Sequence, residues 1–330
     1  MNSYILYTNS HKQLAYELSQ QSNIPLIDTK IDYFSNGEIR TNITKSIRGK
    51  NIYVVSSPTS DNNKSINDYI METYLLIRTC KNSDASNITL ISPYYPYSRQ
   101  DKKDNSRVCI SARDIADLYI TSGINRLITF DLHSHQIQGF FNIPCDNFYC
   151  INMIYDYLVD NYNINNTNTL NEEYVMIAPD EGALKRVQTY ANKFNMPFMV
   201  VSKERDYTQI NKVDKAVLIG DKKYLENRTA IIIDDMADTC GTVIKVGELL
   251  KNKGAKDVIV IVTHGILSGP ALERLNNTEY IKEIIVSDSL PQENNKKLCN
   301  KLKTYSVVPT LSKIVNRLDN GASLSELFHF

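Results

Sequence analysis

A charge imbalance is the first thing this sequence lacks. Its 330 residues carry 37 Lys and Arg against 37 Asp and Glu, a formal net charge of zero. A chain without a global field is not steered to nucleic acid or to an anionic membrane, so neither is expected as a partner. Long apolar runs are also lacking. No stretch approaches the roughly 20 residues of a bilayer span, and Met1 to Ser10 has neither the basic cluster nor the apolar core of a leader peptide. The expectation is a cytoplasmic protein. The six cysteines, at 80, 109, 145, 150, 240 and 299, include no Cys-x-x-Cys pair, which argues against a disulfide framework or a zinc ribbon. No Gly-x4-Gly-Lys-Ser/Thr and no Gly-x-Gly-x-x-Gly occurs, so phosphate handling must come from other loops.

What is present is ordinary globular composition, 42% hydrophobic and 22% charged, at a length suited to about two domains. Short β-rich runs alternate with helical patterns. The spacing predicts strands at 4–7, 51–55, 87–92, 127–131, 174–178, 198–201, 216–219, 230–234, 258–263 and 283–286, and helices near 10–21, 66–80, 111–121, 150–160, 183–194, 242–253 and 310–318. Alternation through two cycles predicts an α/β chain of mainly parallel sheets flanked by helices. The Asn-heavy segment 160–173 is polar and low in complexity, the best linker candidate. The cut is therefore expected near residues 150–170, giving domains 1–150 and 151–318.

Residues 230–242 read Ala-Ile-Ile-Ile-Asp-Asp-Met-Ala-Asp-Thr-Cys-Gly-Thr. The apolar run makes a buried strand, and Val243, Val246, Leu249 and Leu250 begin a helix. Ligands of open α/β sheets gather outside the carboxyl ends of strands, where Asp234 and Asp235 would stand. Asp238, Thr239, Cys240, Gly241 and Thr242 supply hydroxyls and helix-terminal N–H groups that suit an anion. The bland alternative is that the two acids cap a helix. A ribose 5-phosphate ester satisfies both halves, carboxylates on its hydroxyls and the loop on its phosphate. The helix N-terminus is also a place where the Cys240 thiol would ionise more easily, although a small loop residue is the preferred reading.

Other stretches have weaker local meanings. Phe34-Ser35-Asn36-Gly37-Glu38 is a turn whose ring and amide-type groups suit a flat base. Residues 92–107, Ser-Pro-Tyr-Tyr-Pro-Tyr-Ser-Arg-Gln-Asp-Lys-Lys-Asp-Asn-Ser-Arg, follow a predicted strand; a single-strand nucleic-acid surface and an exposed charged loop are the alternatives to a mobile lid carrying Arg99. In Asp131-Leu132-His133-Ser134-His135, the Asp and both His would share a face if the strand geometry continued, as a metal site or simply as structure. Asp180 stands after the 174–178 strand, and Lys203 and Arg205 project to one side of another, where solvated charge is the usual alternative.

Taken together, and in this order, these motifs closely resemble the class I ribose-phosphate pyrophosphokinases over nearly the whole chain, to 320–328, Asn-Gly-Ala-Ser-Leu-Ser-Glu-Leu-Phe. The resemblance implies two phosphoribosyltransferase-like domains, with a tail near 319–330 returning to the first. It implies transfer of the diphosphoryl group of ATP to the anomeric hydroxyl of ribose 5-phosphate. Phe34, Asn36 and Glu38 would hold adenine from a neighbouring subunit, with Arg99, Gln100, Asp104 and His133 also on ATP. His133 and Asp180 would contact magnesium, while Lys203, Arg205 and Arg99 carry the transfer. It further implies a homo-oligomer, a hexamer, activated by inorganic phosphate and inhibited by ADP, with Ser46, Arg48, Gln138, Asn147, Ser323 and Phe328 at the regulatory site. Two departures stand out. Glu181, Ala183 and Leu184 replace the usual small residues after Asp180, and the loop 56–67 is longer and richer in Asp and Asn than is typical. The Asp180 departure suits a non-catalytic regulatory homologue as the alternative; a phosphoribosyltransferase would leave the first 150 residues unexplained.

Overall fold

The computed structural model describes residues 2–61, 63–162, 164, 170–204 and 215–328, without the side chains of Lys203, Glu204 and Lys215. The chain divides into two units. Residues 2–150, 288–291 and 306–328 make the first, and 151–287 with 292–305 the second. Part of the proposed linker, 163 and 165–169, lies outside the described residues.

In the first unit the order is β1 (Ser3–Tyr7), α1 (Lys12–Ser22), β2 (Thr29–Tyr33), β3 (Ile39–Ile43), β4 (Asn51–Val55), α2 (Ile66–Asn82), β5 (Asn87–Ile91), α3 (Ser111–Ser122), β6 (Arg126–Phe130) and β7 (Cys145–Phe148). Five of these strands form one parallel sheet ordered β1-β4-β5-β6-β7. The middle strands are buried from their second residue on. A parallel sheet covered on both faces requires that, and it is why they read as continuous rather than alternating apolar runs. α2 opens on a reciprocal capping box between Ser65 and Asp68, which satisfies two otherwise orphan N–H groups. β2 and β3 form a separate antiparallel hairpin, with Tyr33 facing Ile39 across the turn. The sequence pattern did not announce it, because both strands are half polar. The same holds for the short β7.

The second unit contains α4 (Ile151–Tyr162), β8 (Tyr174–Ala178), α5 (Leu184–Phe194), β9 (Phe198–Glu204), β10 (Lys215–Ile219), β11 (Thr229–Ala237), α6 (Gly241–Asn252), β12 (Asp257–Gly265), α7 (Ala271–Asn277), β13 (Glu283–Ser287), α8 (Glu293–Leu298) and β14 (Leu302–Tyr305). Its sheet runs β10-β9-β8-β11-β12-β13-β14, parallel throughout except for the antiparallel edge strand β10. The order reverses between β8 and β11, so the crevice at the carboxyl ends of these two strands is the expected ligand position. Ile231, Ile232 and Ile233 of β11 are at most 1% exposed, each such side chain contributing about 1.5–3 kcal/mol.

The last helix, α9 (Val308–Asp319), packs on α1 in the first unit. Leu311, Ile314 and Val315 supply its buried stripe at the spacing of one helix face. The Tyr53 hydroxyl donates to the Val315 carbonyl at 3.3 Å. The returning segment therefore begins at 306, where the family resemblance implies a tail from about 319. The cause is this apolar face, which needs α1 to cover it.

Candidate functional site

In the second unit, register brings three strand ends together. Ile177 of β8 pairs with Ile232 of β11, and Ala178 pairs with Val200 of β9. Continuing each strand by two or three residues places Asp180, Lys203 and the pair Asp234–Asp235 at one end of the sheet. Asp235 is 5% exposed, and its carboxylate lies 3.6 Å from Arg186 Nη1 of α5. Nothing in the local sequence announces that Arg186, a helix residue nearly fifty positions away, will meet the acid. Burial, and then the neighbouring Asp235 charge, hold the Asp234 carboxyl well above its ordinary range. Its Oδ1 accepts from the Asp235 N–H at 2.9 Å. Adjacent acids, one buried and one half-buried, are relieved by hydroxyl donors or by a cation, and sugar hydroxyls are such donors.

The loop after Ala237 is held from behind, residue by residue. The Ala237 carbonyl accepts from the N–H groups of Ile266 and Leu267 at 2.9 and 3.0 Å. Ser268 Oγ donates to the Asp238 carboxylate, and Arg274 Nη1 donates to the Thr239 carbonyl at 3.0 Å. Peptide planarity makes each N–H point opposite the preceding C=O. Fixing the Thr239 carbonyl therefore turns the Cys240 N–H away from Arg274. Cys240 itself is left-handed at φ 59°, and α6 starts one residue later. A left-handed residue before a helix start curls successive N–H groups into an anion-binding nest. Thr239, Gly241, Thr242, Lys245 and Arg274 also border a cleft of about 800 Å³ between α6 and α7.

Of the two readings of Cys240, the small loop residue holds. Cys240 is 4% exposed, and burial, with Asp238 adding to it, pushes its pKa up to about 12. Desolvation outweighs the helix terminus here, and Cys240 is a packed loop residue. Asp180 Oδ1 accepts from the Ala183 N–H at 3.2 Å, so its unusual loop folds back on the acid and starts α5. Glu181 turns aside to accept from Ser202 Oγ at 2.7 Å. The Lys203 backbone pairs with Ala216 of β10; its side chain and all of Arg205 lie outside the described residues.

In the first unit, His133 and the 92–107 segment both follow carboxyl ends of neighbouring strands, β6 and β5. The shared face of Asp131, His133 and His135 is not realised, because β6 stops at Phe130 and Asp131 takes φ 37°. Asp131 is buried and accepts from the Cys150 N–H at 3.0 Å. His133 is exposed, and His135 pairs its ring with the Tyr149 hydroxyl at 2.8 Å. The 92–107 segment is not uniformly free to move. Tyr94 and Tyr95 are buried, and Tyr95 donates to the Ala112 carbonyl at 2.8 Å. Gln100 is tied to the start of α3, its Oε1 accepting from Ser111 Oγ at 2.6 Å. Arg99 and Asp104 are exposed.

The turn from Phe34 to Glu38 closes with Gly37 at φ 88°, and Asn36 Oδ1 accepts from the Glu38 N–H at 3.1 Å. Phe34 is 50% exposed at its tip, an aromatic ring offered outward. Among the candidate regulatory residues, Ser46 is exposed and Arg48 pairs with Asp84 at 3.2 Å. Gln138 donates to the His135 carbonyl, and Arg317 donates to the Ser323 carbonyl. Phe328 stacks on Phe148 at 4.4 Å. Asn147 is 1% exposed, and its amide nitrogen has no hydrogen-bond partner among the described residues.

Among the described residues no group of three His, Cys, Asp or Glu side chains is placed to hold a metal. Asp180, in the second unit, is a half-buried carboxylate, and His133, in the first, is an exposed imidazole. A lone carboxylate fits magnesium delivered on nucleotide phosphates, since Mg²⁺ prefers oxygen donors, keeps several waters and takes few protein ligands. It does not fit a resident all-protein site.

Paired acids at a strand end, beside a braced N–H nest at a helix start, define an α/β sugar-phosphate-binding protein. Comparison with known proteins makes this specific. The N-terminal domain of ribose phosphate pyrophosphokinase matches residues 3–123, and the phosphoribosyl synthetase-associated domain matches 217–329. Ribose-phosphate pyrophosphokinase A of Dictyostelium discoideum is 39% identical, covering 98% of this chain and 97% of its own. Ribose-phosphate pyrophosphokinase 4 of Saccharomyces cerevisiae is 39% identical over 98% and 94%. The crystal structure of phosphoribosylpyrophosphate synthetase from Mycobacterium smegmatis superposes with a TM-score of 0.87 at 32% identity, over 98% of this chain and 100% of that one. The chain belongs to the ribose-phosphate pyrophosphokinase family.

Proposed function

We propose that this protein moves the diphosphoryl group of ATP onto the anomeric hydroxyl of ribose 5-phosphate, giving 5-phosphoribosyl 1-pyrophosphate and AMP for nucleotide biosynthesis. The observation that carries the reading is the junction of Asp234–Asp235 with the nest at 238–242 on one strand–helix turn. The acids accept from the ribose hydroxyls, and the nest and its threonines hold the 5-phosphate.

The C1 hydroxyl oxygen attacks the β-phosphorus, and the bond from that phosphorus to the α,β-bridging oxygen breaks, AMP leaving with the oxygen. Such a displacement needs alignment and charge neutralisation more than an enzyme nucleophile. Lys203, Arg205 and Arg99 supply positive charge to the transferring group. Phe34, Asn36 and Glu38 of one subunit hold adenine for its neighbour, joined by Gln100, Asp104 and His133. Magnesium, contacted by His133 and Asp180, would neutralise phosphate oxygens when bound with ATP. The family likeness also supports a cytoplasmic homo-oligomer, a hexamer, activated by inorganic phosphate and inhibited by ADP through Ser46, Arg48, Gln138, Asn147, Ser323 and Phe328. Among the described residues no helix is long and apolar enough to cross a membrane.

Incubation with ATP, magnesium and ribose 5-phosphate is expected to release AMP and not ADP. Lys203→Ala is expected to lower kcat by roughly 10²-fold, as removal of one transition-state charge does, with assembly unchanged. Release of ADP refutes the reaction; a Lys203→Ala enzyme that turns over like the parent refutes that residue's role.

A further inference from the structure

The junction of the β4–α2 loop with α2 is wired into two segments proposed above to hold the nucleotide. Its centre is Glu72, a carboxylate with no exposure in α2. A buried charge persists only where its lone pairs are matched, and Glu72 is matched from three directions. The Asn9 backbone N–H and Asn9 Nδ2 donate to it at 2.9 and 3.1 Å, and the Tyr33 hydroxyl at 2.7 Å. Lys64 Nζ reaches it at 2.9 Å. The same ammonium lies 4.0 Å from the centre of the Tyr33 ring, so Lys64 clamps Tyr33 by ring face and by shared acid.

Lys64 is itself held in place. The Asp61 carboxylate accepts from its N–H at 2.8 Å and from the Asn63 N–H at 2.7 Å, and the Asp61 N–H returns a bond to the Lys64 carbonyl at 3.0 Å. Three residues further on, Asn67 Oδ1 accepts from the Tyr97 hydroxyl at 2.7 Å. Tyr33 immediately precedes the Phe34 turn. Tyr97 lies two residues before Arg99 and has φ 59°, a left-handed backbone that starts the excursion.

We propose that Lys64 is a positioning residue for nucleotide binding: through Glu72 and the Tyr33 ring it fixes the Phe34 turn, which serves the neighbouring subunit's nucleotide, while Asn67, through the Tyr97 hydroxyl, fixes the root of the Arg99 loop, which serves its own. The inference rests on those two segments being the nucleotide-binding parts.

The test compares KM for ATP with KM for ribose 5-phosphate in the full-length enzyme. Lys64→Met with Glu72→Gln removes both charges together and leaves no unpaired buried ion. It is expected to raise KM for ATP roughly tenfold, the size of one charge-assisted bond lost, with KM for ribose 5-phosphate unmoved. Tyr97→Phe deletes only the second tie, on the protein surface, and is expected to raise KM for ATP by a smaller factor; it also serves should the double variant fail to fold. Phe34→Ala reports on the underlying reading. If Phe34→Ala raises KM for ATP while Tyr97→Phe and any folded Lys64/Glu72 variant match the parent, the positioning role is overturned and the nucleotide reading stands. If Phe34→Ala leaves KM for ATP unchanged, both fall. A rise in both KM values together, with lower thermal stability, marks a purely structural role and also overturns the proposal.

Discussion

Arg274→Ala isolates the brace behind the phosphate loop. The guanidinium contributes one charge-assisted bond, at 3.0 Å, to the Thr239 carbonyl. Its Nη1 also stands 3.5 Å from where a Cβ on Gly241 would be, so loop and side chain are in contact along two residues. A bond to a charged group is worth about 1.5–3 kcal/mol. Arg274 is exposed, and water takes over part of its role when it is removed, so about 1 kcal/mol is the expected loss. Without the brace the Thr239–Cys240 peptide gains freedom to rotate, and the Cys240 N–H is no longer held toward the 5-phosphate. The expected outcome is a roughly fivefold fall in kcat/KM for ribose 5-phosphate, read in a steady-state assay at saturating ATP, with KM for ATP unchanged. Arg274→Lys, which keeps a single donor, is expected to recover part of the loss. The reasoning is refuted if Arg274→Ala matches the parent for ribose 5-phosphate. It is refuted equally if both substrates suffer alike with a drop in Tm, since that pattern belongs to destabilised packing.

Asp288 yields a pH-dependent prediction. Burial raises its carboxyl from 3.8 to about 6, against the opposing bonds from the Ser306 hydroxyl and the Val307 N–H. A group whose folded pKa is raised contributes stability below its unfolded pKa and loses it as pH rises through the folded one. Between pH 4 and 6 the parent should lose roughly 2–3 kcal/mol from this residue. Asp288→Asn, whose amide oxygen still accepts from Val307, should be more stable than the parent at pH 7, with the gap closing near pH 4; urea midpoints at the two pH values check this, and equal slopes for both proteins refute it. For regulation, activity in phosphate-free buffer should rise as inorganic phosphate is added, and ADP should reverse the rise. A curve flat in phosphate refutes the regulatory reading.

Much of the fold lay in local pattern. The buried strand 229–237, the helix start at Gly241 and the acids between them follow from an apolar run, a turn and a helical period, each set by near neighbours. The ten expected strands and seven expected helices all form, within a few residues at their ends. The hairpin β2–β3 and the short β7, β14, α7 and α8 went unseen, because half-polar or short segments are stabilised by what packs on them rather than by their own period.

Only the tertiary structure decided how distant parts meet. That β11 lies between β8 and β12, and so sets Asp180 at the same end of the sheet as Asp234 and Asp235, depends on strand order, which no local spacing encodes. The partners Arg186 of Asp235, Arg274 of Thr239 and Lys64 of Tyr33 lie 49, 35 and 31 positions away along the chain. Desolvation is collective in the same way. Cys240 stands at a helix start, where the sequence alone suggests easier ionisation, yet the core around it pushes the thiol upward. Periodicity and turn chemistry act over a few residues and are written in them. Pairing across the sheet and the exclusion of water arise only once the whole unit has closed.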